Sequence, residues 1–128
     1  MENSKKEKAL ALLEVGECSK VYRLIKDDIE SENFFALYLY SKFSLPEWHE
    51  SAEKSDRRRI ELLNKAAKGK IPEAAYQLAC CYLYGEGIKR DLEFALVYAK
   101  ESAALGYVPA LILEEQIEKL IEKTPKNS

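Results

Sequence analysis

At 128 residues the chain is long enough to bury roughly two thirds of the surface its unfolded form exposes, so one domain can form a core without disulfide or metal staples. Hydrophobic residues make up 47% and charged residues 33%, which excludes a disordered chain, and 20 basic against 22 acidic side chains leave a net charge of -2, against a general nucleic-acid binder. No run reaches the ~18 uncharged apolar residues needed to cross a bilayer. Glutamates enter MENSKKEKALALLEVGE before any apolar stretch that could serve as an export signal, so the expectation is a cytoplasmic protein without a membrane partner. The three cysteines are odd in number, two of them adjacent (Cys80, Cys81), and none form a Cys-x-x-Cys pair. They read as reduced, small apolar residues on helix faces.

Apolar residues recur at spacings of three and four, so every element reads as helix. The first spans Ser4 to Val15, with Ser4 as cap, Glu7 completing a capping box, Gly16 at its end and Ala9, Leu12 and Leu13 inward. The second runs from Ser19 to Ile29 and carries Val21, Tyr22, Leu24 and Ile25. The third, Asn33 to Phe43, is aromatic (FFALYLYSKF) and cannot pass Pro46. PEWHESAEKS is the longest irregular stretch, and a helix from Asp56 to Lys68 follows with Ile60, Leu63 and Ala67 on one side. Pro72 opens the fifth helix, which runs to Tyr84 with Ala75, Leu78, Ala79 and Tyr82 inward. After Gly85-Glu86-Gly87, Asp91 caps a helix to Leu105 with Leu92, Ala95, Leu96, Ala99 and Ala103 inward. Gly106 ends it, Pro109 opens the last helix (Ala110, Leu113, Ile117, Leu120 and Ile121 inward), and residues 123–128 form a loose tail.

The chain also repeats. NKAAKGKIPEA, ending at Ala74, and KESAALGYVPA, ending at Ala110, share paired small residues, a glycine, an apolar residue beside proline and a closing alanine at an offset of 36 residues. Pro72 to Ala110 closely resembles the Sel-one-like repeat, a relative of the tetratricopeptide repeat. Ala74, Leu78, Tyr82, Gly85, Gly87, Asp91, Ala95, Tyr98, Ala103 and Gly106 occupy that family's motif positions. Ala79 stands where glycine is usual, Ile88 for valine and Tyr98 for tryptophan. The resemblance implies an all-α solenoid of antiparallel helix hairpins in one domain: residues 1–33 as a degenerate repeat or cap, 34–71 as a divergent repeat, 72–108 as the best repeat and 109–122 as a capping helix. In the last helix Glu114 stands where an inward leucine would be, as suits a cap.

Phosphate binding by the glycine loop is disfavoured, since it has no third glycine and no preceding strand. The glycines are expected to turn a corner instead. His49, the sole histidine, sits in PEWHES, and Glu53 stands where a second histidine of HExxH would be, so no metal is expected. The clustered carboxylates Asp27, Asp28, Glu30 and Glu32, and Glu114, Glu115, Glu118 and Glu122, read as solvated helix faces, as do Arg57, Arg58 and Arg59, which acidic neighbours interrupt. Stacked hairpins create a concave face lined by the first helix of each pair. On it Phe34, Tyr38 and Ser41 and then Glu73, Gln77, Cys80 and Tyr84 are the expected partner contacts, with Trp48 as a loop anchor. The functional expectation is a non-enzymatic, cofactor-free monomer that binds one protein partner, with a toxin or a secretion-related protein as candidates, and acts as an adaptor or scaffold or as an immunity protein neutralising a toxin. The alternative is a small enzyme using His49 with a cysteine or carboxylate.

Overall fold

A computed structural model describes residues 1–125, and every regular element among them is helical. The helices are α1 Asn3–Glu14, α2 Cys18–Glu30, α3 Phe34–Tyr40, α4 Ala52–Lys68, α5 Pro72–Tyr84, α6 Leu92–Ala104 and α7 Val108–Lys123, with a 3₁₀ turn Pro46–Trp48 between α3 and α4. Each helix packs on the next along the chain, giving the expected array of antiparallel hairpins. Of the expected tail, residues 126–128 lie outside the described residues.

Three of the boundaries that differ from the sequence reading do so for a local reason. α1 begins at Asn3 with Glu2 as its N-cap residue, so Ser4 lies inside the first turn and no capping box forms. α3 ends at Tyr40, because Ser41 donates its hydroxyl to the Tyr38 carbonyl and Lys42 N–H turns back to Leu39 O at 3.0 Å. α4 begins four residues earlier than expected because the Ser51 side chain accepts from Lys54 N–H at 3.1 Å. That cap shortens the irregular connection, whose first part is wound into the 3₁₀ turn behind Pro46.

The C-terminal hairpin follows its motif closely. Gly85 (φ 70°) and Gly87 (φ 72°) both adopt the left-handed region that a Cβ disfavours. Within that corner Glu86 N–H reaches Cys81 O at 3.0 Å and Asp91 N–H reaches Tyr82 O at 2.9 Å. Asp91 then accepts from Phe94 N–H at 3.0 Å to start α6.

Two buried clusters meet on α5. One gathers Val21, Ile25, Leu39, Leu63, Leu78 and Cys81 from α2 to α5, and the other gathers Ala79, Leu83, Ala95, Ala99, Leu113 and Ile117 from α5 to α7. Leu120, expected to face inward, is instead 38% exposed, because α7 is the last described helix and no further element covers that side. Replacing Gly85, where a Cβ would meet only ordinary contacts, by alanine is expected to cost about 1–2 kcal/mol for the left-handed backbone. Asparagine, which tolerates that region, should cost less. Urea denaturation of the two variants measures the difference.

Candidate protein-binding face

The eight residues expected to contact a partner fall into three environments. Phe34 lies on Gly69 so closely that a Cβ there would collide with the ring, and with Glu32, Leu37, Lys65 and Lys68 it lines a cleft of about 180 Å³. Trp48 is half-buried in an aromatic wedge, with ring centroids 5.2 Å from Tyr22, 5.8 Å from Tyr40 and 6.2 Å from Phe43. The other six sit on α3, its C-cap and α5.

Those six are unequally accessible. Tyr38 is buried, its ring is capped by the Lys42 ammonium at 4.9 Å, and burial, reinforced by the charge of Glu73, pushes its phenol up to about 12. Ser41 is buried with its hydroxyl committed to Tyr38. Glu73 and Gln77 are half-exposed, and Gln77 shares a small cleft with Lys42, Arg59 and Leu63. Cys80 is half-buried beside Tyr76, and burial pushes its thiol up. Tyr84 is 66% exposed.

Tyr84 borders an open cleft. A cleft of about 590 Å³ runs between the C-terminal ends of α5 and α7, lined by Leu83, Tyr84, Arg90, Gln116, Lys119, Leu120 and Lys123. Only Tyr84 of these was expected from sequence. The others escaped because α7 read as a cap, yet the same offset of 36 residues places Gln116 under Cys80 and Leu120 under Tyr84. Arg90 is held at the cleft by its Nε, which donates to Leu83 O at 3.0 Å.

The arginine run behaves differently from a solvated helix start. Arg57 is exposed and Arg59 pairs with Asp56 at 3.2 Å, but Arg58 is half-buried and ties the connection together. Its guanidinium grips both Glu50 carboxylate oxygens (2.8 and 2.9 Å), donates to Phe43 O at 2.8 Å and Tyr40 O at 3.2 Å, and stacks over the Tyr40 and Trp48 rings. The fork geometry makes such a contact possible for arginine and not for lysine. Arg58 first, then the Ser44 hydroxyl, holds the Glu50 carboxyl at about 2.

Residues 72–107 match the Sel1 repeat. The match spans α5, the glycine corner and α6, so the tyrosine on the cleft belongs to the repeat itself. A Sel1 repeat points to a protein–protein interaction module. Neither a curated protein nor a solved structure matches the chain. Among the described residues no helix is long and apolar enough to cross a membrane, and no cluster of three or more His, Cys, Asp or Glu side chains could hold a metal.

Two pH effects follow from this geometry. Glu50 titrates below the usual value of about 4.3, so its share of stability is complete above that value and is lost as pH falls toward about 2. Glu50→Gln and Arg58→Lys should both lower the melting temperature at pH 7, and the gap to the parent should narrow on acidification. Tyr38 works in the opposite direction. Its neutral form is favoured in the folded state, so stability is lost as pH rises from about 10 to about 12, and Tyr38→Phe should flatten that alkaline loss. Thermal melts across both windows measure these effects.

Proposed function

We propose that the chain is a non-enzymatic interaction module that, as a monomer, binds one protein partner through the face formed by α3, α5 and α7 and the adjoining loops. The observation that carries this reading is the open cleft between α5 and α7, with an exposed tyrosine of the Sel1 repeat beside an apolar leucine pair. Aromatic anchors next to apolar surface and flanked by polar groups supply most of the energy in protein recognition. Gln77, Glu73 and Lys42 extend the face toward α3, where the Tyr38 ring supplies a buried support rather than an exposed contact.

The cysteines support the absence of a catalytic role. Burial pushes both the Cys80 and Cys81 thiols up, away from the thiolate that a nucleophile needs, while His49 is exposed at the end of the 3₁₀ turn. Two biological roles fit the binding reading equally: an adaptor or scaffold, or an immunity protein that covers a toxin.

Capture with the purified chain, followed by identification of the retained protein, tests the proposal. Tyr84→Ala should weaken the captured complex at least tenfold, about 1.4 kcal/mol, with an unchanged melting temperature, since the side chain is exposed. An unaltered affinity would sink the assigned face. If the captured protein arrests growth when expressed alone and co-expression of this chain restores growth, the immunity role holds; a captured protein without such toxicity favours the adaptor.

A further inference from the structure

We infer that the cleft between α5 and α7 takes an acidic peptide segment bearing one large apolar side chain, an assignment that rests on the interaction-module reading and specifies its partner. The lining divides by chemistry. Leu83 and Leu120 offer apolar surface, and Tyr84 adds an amphipathic ring. The charged side chains of the lining are Arg90, Lys119 and Lys123, all cationic. A volume of about 590 Å³ lies within the range of ligand pockets, large enough for a leucine or aromatic side chain with its flanking backbone.

The sorting of charge on α7 gives the lining its sign. Gln116, Lys119, Leu120 and Lys123, spaced by three and four residues, share the helix face that borders the cleft. Glu115, Glu118 and Glu122 follow the same spacing one residue earlier, on the adjacent face, and none of them lines the cleft. Lys119 is shared with Glu115 at 3.2 Å, whereas Arg90 and Lys123 make no ion pair among the described residues. The bond from Arg90 Nε to the Leu83 carbonyl positions the guanidinium and leaves its other N–H groups for an acceptor. Near-neutral net charge therefore conceals a locally cationic, partly apolar cleft that complements carboxylates flanking an apolar residue.

The test is selection of random phage-displayed peptides on the full chain, followed by binding of the winning peptides in synthetic, fluorescently labelled form. Winners should carry Asp or Glu on either side of Leu, Phe, Tyr or Trp. Their affinity should fall at least tenfold in the Lys119→Glu, Lys123→Glu double variant and in Leu120→Asp, and should weaken as salt rises. The single variant Lys123→Gln, on the exposed last turn of α7, keeps the test open if the double variant melts early. Basic or uncharged winners that lose binding in Tyr84→Ala overturn the acidic assignment and leave the module reading intact. No enrichment, or winners indifferent to Tyr84, Leu120 and both lysines, overturns the two together. Tight binding of polyuridylate, abolished by the same lysine changes, overturns the peptide assignment in favour of nucleic acid.

Discussion

Close approach of neighbouring helices is the constraint on which the rest of this structure depends, and alanine makes it possible. Ala66, Ala74, Ala75, Ala79, Ala95, Ala99 and Ala110 are all fully buried at contacts between successive helices. A larger side chain at any of them would force the axes apart, at a cost of about 1–3 kcal/mol in an already filled interior. α5 shows the consequence most clearly. Ala75 and Leu78 complete the cluster on its N-terminal side and Ala79 and Leu83 the cluster on the other, so one helix joins both cores. Polar bonds across the same contacts hold the stacking: Ser102, fully buried, donates its hydroxyl to the Pro72 carbonyl at 2.7 Å.

The two hairpins centred on α3–α4 and α5–α6 reverse the chain by different means. The later one uses two left-handed glycines and an aspartate cap, a solution that needs only backbone. The earlier one has no glycine pair and uses side chains instead: a proline-started 3₁₀ turn, a serine cap and Arg58, whose charge is neutralised by Glu50 and whose donors satisfy carbonyls at the end of α3 and just after it. Trp48 fills the space that such a wider turn encloses. Its aromaticity therefore serves packing at this turn, while the exposed aromatic of the cleft comes from the compact turn's own helix.

Polar residues at core positions of the repeat create the candidate site. At the offset of the repeat, Glu115 and Lys119 of α7 stand where α5 has the buried Ala79 and Leu83, and they pair with each other. Polar residues at such positions give α7 a solvated face where α5 carries buried core. Leu120 is left at the surface, and the space between α5 and α7 stays open.

Composition and spacing by themselves determined that the chain is helical, where most of its turns lie and how its best repeat closes, because helix periodicity, proline and glycine act through local backbone sterics. They also placed Tyr84 outside the core. Only the tertiary structure decided that Arg58 is a half-buried tie, that Phe34 covers Gly69, that Tyr38 and Trp48 are packed, and that Arg90, Lys119 and Lys123 meet across one cleft. Those outcomes depend on which faces of non-adjacent turns come together, and a side chain's exposure is set by what another helix brings against it.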